Sequence, residues 1–308
     1  MIDYTFIVNN TYNPGLGFNQ SELDRVYNMY HGAGNCIDKL NDCNTRGIDN
    51  ICTDADNFCF AAESIYDTIT GRDEYDLREL SSDPFPNTDF VPYLNLPKVQ
   101  QALGAYQNFS YAATNLGAGT VANAFGTTGD DARELGIVNT LKDLVKRGVY
   151  VLAYHGDADY NCNWLGGLQV AEAINAPGFP AAGFQNISTS DKEVHGVAKQ
   201  SGNYTFARIY QSGHFVPFYK PQVVLELFER VLARTDVATG SKVVKGPSYK
   251  STGPKTSTYF NGNGTIQYTD YDNTATYNIY TNVPDYSGTT FDKRSLRDKR
   301  RFSKLMFN

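Results

Sequence analysis

The sequence predicts an α/β protein: a doubly wound sheet carrying a disulfide-linked helical insertion. Two observations carry this expectation. Asp131 to Arg147 sets Leu135, Val138, Leu141 and Val145 at helical intervals, and Val149 to Tyr154 follows as a short apolar, β-branched run of the buried-strand type. Trp164 to Ala173 then reads as helix, Thr205 to Tyr210 as strand and Pro221 to Ala233 as helix. Helix, strand, helix, strand, helix is the order that covers both faces of a sheet.

Ahead of this core, residues 21 to 69 read as helical. Ser21 and Asp24 have capping-box spacing, and Leu23, Val26, Tyr27 and Tyr30 recur on one face. Cys36 and Cys43 lie seven apart, two helical turns, and Cys52 and Cys59 repeat the spacing. Asn44 to Asn50, with Gly47, reads as the turn between them. Folding two helices antiparallel about that turn brings Cys43 to Cys52 and Cys36 to Cys59, so the nested pairing fits best. A zinc site is the competing use of four cysteines, but no close C-x-x-C pair is present, and no metal is expected.

Further along, Asp83 to Pro92 reads as a Pro-rich loop, Leu94 to Leu103 as a short helix with Pro97 in its first turn, and Gly117 to Gly129 as an irregular connection. After Thr239 the composition turns to Ser, Thr, Gly, Asn, Tyr and Lys, with seven Lys and Arg between Lys293 and Lys304. The expected organisation is therefore a helical insertion over 1–95, the α/β core over 96–239 and a disordered polar tail with a basic end over 240–308.

A net charge of -6 argues against nucleic acid as a partner, and no run approaches the ~20 apolar residues that a membrane span needs. Six N-x-S/T sequons, at Asn9, Asn19, Asn108, Asn186, Asn203 and Asn263, and the clustered cysteines suggest the secretory route. The start, Met1-Ile-Asp-Tyr4, is unlike a leader peptide. These features together suggest the later part of a longer secretory protein.

Chemistry in open α/β sheets gathers at the carboxyl ends of strands. Here the first apolar strand delivers Asp157 and Asp159, and the next delivers His214 after Gly213. An acid followed by a histidine 55 residues on matches the later part of the hydrolase order Ser, Asp, His. Geometrically, such an acid orients the imidazole while the histidine carries the serine's proton.

Two segments carry a family resemblance: Gly156-Asp-Ala-Asp-Tyr-Asn-Cys-Asn-Trp-Leu-Gly166 and Gly213-His-Phe-Val-Pro217. They resemble the serine carboxypeptidases of the α/β-hydrolase fold, in the fungal branch that includes carboxypeptidase Y. Ser212 and Phe215 depart from the family's histidine motif, and Phe215 changes the expected pocket. The helical cysteine segment and the stretch from Tyr93 through Val99 to Gly104 resemble the same family, so the similarity runs from about 4 to 238. The resemblance implies Asp159 as the triad acid, Asp157 as an ordinary turn cap and His214 as the base. It implies Cys162, Asn163, Trp164 and Phe215 beside the substrate, with Cys162 a free thiol, and no cofactor. His31, His155 and His195 have no matching role.

No serine stands in a G-x-S-x-G context; Ser248, in Gly246-Pro-Ser-Tyr-Lys250, comes nearest. The expected activity is removal of C-terminal residues from peptides, secreted or vacuolar, by an enzyme whose nucleophile lies in a missing N-terminal half. The chain by itself is expected to be inactive. A non-catalytic secreted glycoprotein derived from the family is the alternative, and an esterase is disfavoured by Cys162-Asn-Trp164.

Overall fold

The computed structural model describes residues 17–78, 90–109, 121–133, 136–257, 276–278 and 283–285. The sequons at Asn9 and Asn263, most of the Pro-rich loop and the basic end lie outside the described residues.

Helix α1 (Gln20–His31) is capped at Asn19, two residues before the expected Ser21. Asn19 and Glu22 form the reciprocal box: the Asn19 side chain accepts from Glu22 N at 3.0 Å, and Asn19 N donates to Glu22 Oε2 at 2.9 Å. Helices α2 (Cys36–Arg46) and α3 (Asp49–Glu63) form an antiparallel hairpin about Gly47, whose φ of 64° is the left-handed conformation that glycine adopts most readily. Both nested bonds form, Cys36–Cys59 with Cα atoms 5.1 Å apart and Cys43–Cys52 with 4.7 Å. Cys162 is free. Helix α4 (Ile65–Thr70) turns the chain back toward the core, where Ile65 and Tyr66 are buried.

Short helices follow: α5 (Phe90–Leu94), α6 (Pro97–Leu103) and α7 (Val121–Thr128). Helix α6 carries Pro97 in its first turn, as the sequence suggests. Helix α7 falls where an irregular connection was expected, and α5 falls partly in the expected Pro-rich loop. The long helix expected over Asp131 to Arg147 is instead a 3₁₀ turn (Asp130–Ala132) and helix α8 (Ile137–Lys146), which opens after Gly136 in a left-handed conformation.

The sheet has four strands in the order β1-β4-β3-β2. Strands β1 (Val151–Gly156) and β4 (Tyr204–Ile209) pair in parallel, with α9 (Trp164–Ile174) following β1. Strands β2 (Phe184–Ser188) and β3 (Val194–Ser201) were not read from the sequence, and they make antiparallel pairs. The sheet is therefore mixed. Polar residues hid these strands. Lys199 lies inside over the rings of Phe179 and Phe184, at 4.8 and 5.7 Å, and the buried Gln200 side chain bonds to Gly202 O and Val237 N.

Two cores flank the sheet. Alternate β4 residues divide between them: Tyr204 and Phe206 join Trp164, Ala171, Ile174 and Val145 on one face. Ala207 and Ile209 join Val216, Val223 and Leu227 of α10 (Val216–Tyr219) and α11 (Pro221–Leu232) on the other. That alternation is the period of two that a strand buried on both faces demands.

The boundary expected at residue 240 moves. Residues 240–257 are ordered as a strap across the sheet, with Val244, Ser251 and Ser257 buried. Apolar content is low here, so the strap is held by polar bonds. Ser251 Oγ accepts from Gln200 N at 2.9 Å and donates to Gly183 O at 2.6 Å, and Gly202 N donates to Tyr249 O at 2.9 Å. A separate antiparallel ladder joins β5 (Thr276–Asn278) to β6 (Val283–Asp285).

Removing the Ser251 hydroxyl strands one buried donor and one buried acceptor. Ser251→Ala should cost about 1–3 kcal/mol in urea denaturation, whereas Thr252→Ala, at an exposed position, should stay within about 0.5 kcal/mol. Equal midpoints for the two variants would show that the strap contributes nothing.

Candidate active site

Beyond the paired ends of β1 and β4 the two chains stay in contact. Asp157 N donates to Ile209 O at 2.9 Å and Ala158 N to Ser212 O at 2.8 Å. This approach requires glycine at 156, since a Cβ there would meet the carbonyl oxygens of Ser212 and Gly213 at 2.3 Å. The result is a direct bond between Asp159 Oδ2 and His214 Nδ1 at 2.9 Å. The Asp159 side chain is 3% exposed and that of His214 32%, so the acid is sealed and the imidazole reaches solvent.

A third segment, which the sequence did not signal, clasps both loops. Glu74 O accepts from Tyr160 N and Asn161 N, Ala158 O accepts from Leu77 N, and Tyr75 O accepts from His214 N at 2.8 Å. The Tyr75 ring meets the imidazole edge-on at 5.0 Å between centroids. His155 also has a place. Its Nδ1 lies 2.9 Å from Cys162 O, and its ring occupies the space that a side chain at Gly167 would need. Burial lowers its pKa below the ordinary histidine value, against the hydrogen bond to Cys162.

The electrostatics separate the two aspartates. Hydrogen bonds to Asp159 and Cys162 raise the His214 pKa from 6.5 to about 10. Asp157 is fully buried, and desolvation lifts its pKa to about 7 against the pull of Arg208 and Arg78. Its Oδ1 receives a long bond of 3.4 Å from Ser212 N. Asp157 thus lies beneath the histidine loop, and Asp159 is the acid that touches the ring.

The other expected site residues divide. Cys162 is exposed, its Sγ in a group with Asp159 and His214 whose ligating atoms all lie within 4.8 Å. Phe215 is exposed beside His214, with centroids 5.4 Å apart. Asn163 and Trp164, expected beside the substrate, are both buried. Asn163 caps α9 by accepting from Gly166 N at 2.9 Å, while Trp164 lies in the core under the Arg208 guanidinium at 3.9 Å.

Among the sequons, Asn108 and Asn186 are exposed, and Asn19 is an exposed helix cap. Asn203 departs from expectation. Its Nδ2, the atom a glycan would take, donates to the carbonyls of Val145 and Val149.

A mixed sheet with helices on both faces and an acid–histidine pair at adjacent strand ends defines part of an α/β-hydrolase fold. The chain belongs to the serine carboxypeptidase family, whose profile matches residues 1–234. It is 34% identical over 269 residues to carboxypeptidase S1 homolog A of Arthroderma otae, covering 80% of this chain and 40% of that protein. It is 32% identical over 245 residues to carboxypeptidase S1 of Penicillium janthinellum, covering 77% and 54%. Similarity to carboxypeptidase Y of Schizosaccharomyces pombe is 32% over 220 residues, covering 68% and 21%. The chain thus spans about half or less of the curated relatives it matches.

Two titrations follow. In proton NMR, His214 should stay charged to about pH 10, and Asp159→Asn should bring its midpoint back toward 6.5; an unmoved midpoint would deny the pair's influence. Asp157 holds a proton in the folded chain that the unfolded chain releases from about pH 4. The stability of its neutral form is complete below 3.8 and is lost as pH rises through about 7. The melting temperature should therefore fall across that window, and Asp157→Asn should flatten the fall.

Proposed function

We propose that this chain is the C-terminal part of a serine-type carboxypeptidase that hydrolyses the terminal peptide bond of peptides, with Asp159 and His214 as two of its three catalytic residues. The observation that carries this reading is the 2.9 Å bond between Asp159 Oδ2 and His214 Nδ1 at adjacent strand ends. With Nδ1 so engaged, Nε2 is the nitrogen left to take a proton from a serine hydroxyl and return it to the leaving amine. The imidazolium formed in between is stabilised by the Asp159 carboxylate. Because only the neutral ring accepts a proton, the raised His214 pKa makes the active form the minor one at neutral pH in this chain by itself. Phe215 and Cys162, exposed beside the ring, are placed to meet the substrate.

The nucleophile is not among these 308 residues in any G-x-S-x-G context, so it belongs to an upstream half of the same enzyme. Two features support an upstream partner. Strand β1 ends the sheet with no neighbour on its outer side among the described residues, and Val149, Tyr154 and Val170 beside it are exposed. The relatives are also longer, with only 40%, 54% and 21% of their lengths covered. The disulfides and the exposed sequons at Asn19, Asn108 and Asn186 favour a secretory, extracellular or vacuolar setting. No described helix is long and apolar enough to cross a membrane. The missing serine context also favours a second reading, a non-catalytic secreted glycoprotein.

Hydrolysis of a blocked dipeptide decides between them. The 308-residue chain alone should be inactive, and the chain extended upstream to include a serine elbow should release C-terminal amino acids. In that extended enzyme Asp159→Asn should lower kcat by about 10⁴, by spoiling the histidine tautomer, and His214→Ala by at least as much. Activity that survives His214→Ala would overturn the proposal.

A further inference from the structure

We propose that Asp159, Cys162 and His214 also form a binding site for a soft divalent cation of the zinc group, which on binding takes the acid and the base out of service. The three residues bring three different donor types together: a carboxylate oxygen, a thiol sulfur and an imidazole nitrogen, all within 4.8 Å of one another. Zinc takes this mixed set at about 2.0–2.3 Å from each atom, which places ligands ~3.3–3.8 Å apart around a tetrahedron. The Asp159–His214 contact of 2.9 Å has to open by only a few tenths of an ångström to reach that spacing. Three protein ligands leave the fourth position to water. Sulfur and imidazole together select zinc and cadmium over magnesium or calcium, which prefer oxygen.

The surroundings meet the further requirements of a metal site. Asp159 and Cys162 stand three residues apart on one loop, and Cys162 N donates to Asp159 Oδ1 at 3.1 Å, which leaves Oδ2 for the cation. Cys162 O is held in turn by His155 Nδ1 at 2.9 Å. The ligands are thus oriented by outer partners before any cation arrives. Cys162 is in neither disulfide and is exposed, so its thiol can release its proton to solvent as it takes the cation and is open to entry. Neither Asp159 nor His214 requires a change of backbone, since Tyr75 O and the strand ends already fix the histidine loop. The site stands on the geometry of this chain and does not need the upstream half.

The test is a titration of the metal-free 308-residue chain with Cd²⁺, in buffer without thiols, reading the ultraviolet sulfur-to-cadmium charge-transfer band. The band should saturate at one equivalent and be absent in Cys162→Ser. Asp159→Asn and His214→Gln, both close in shape to the native side chains, should weaken binding by at least about tenfold, the least that even outer partners of metal ligands contribute. Circular dichroism of each variant checks that it is folded, and Zn²⁺ should displace Cd²⁺ from the wild type. No band would overturn the proposal. So would a band whose affinity is unchanged in Asp159→Asn and His214→Gln, since the thiol would then be binding alone. Neither outcome touches the peptidase reading, which fails only on the hydrolysis assay.

Discussion

The contact between Gly156 and the Ser212–Gly213 backbone is the constraint on which the site depends. Parallel pairing of β1 with β4 brings the two strand ends level, with Gly156 opposite Ile209. Only the missing side chain at 156 lets the loops beyond them touch, so that the acid can bond the ring. Gly213 works under a similar limit, because a Cβ there would press on Tyr75 O at 2.5 Å and on the Asp76 side chain. Two glycines thus convert strand register into a 2.9 Å bond. The cysteine hairpin acts at longer range: it anchors the helices from which residues 71–78 run into the clasp over both loops.

Beneath this pair lies a buried polar layer that burial alone would not favour. Arg78 grips Asp76 with bonds of 2.8 and 2.6 Å and lies over the Tyr219 ring at 5.1 Å. Arg208 stacks on Trp164 and donates to Ser257 Oγ at 3.3 Å. Both cations pull on Asp157, yet desolvation outweighs them and leaves its pKa near 7. That ordering fits the general balance, in which moving a carboxylate out of water costs several kcal/mol and an ion pair must be well made to repay it. Ser257 belongs to the strap, so the strap and this layer are joined by a hydrogen bond.

The sequence made legible what depends on local pattern. The nested cysteines, the helix after Pro97, β1, α9, β4 and α11 all follow from periodicity, turn residues or caps. Strands β2 and β3 were hidden because their stability comes from neighbours: Lys199 rests on two rings, and Gln200 is satisfied by Gly202 and the chain at Val237. The strap was hidden for a related reason, since its composition reads as disorder until Ser251 finds Gln200 and Gly183. At the site, Asp159 and His214 were visible as motif residues. Glu74, and Tyr75 in part, act there through backbone carbonyls, which leave no mark in side-chain identity. The burial of Trp164 and Asn163 was not visible, because a motif fixes a residue type and not the direction it faces.

The strap also makes the two edges of the sheet unequal. On the β2 side, Gly183 N donates to Ser251 O, Phe184 N to Pro254 O and Ser188 N to Ala238 O, so both ends of that edge are already occupied. On the β1 side the described residues offer no such cover. Strands of the proposed upstream half would therefore have one edge to join, at β1, while the strap closes the other to any strand from outside.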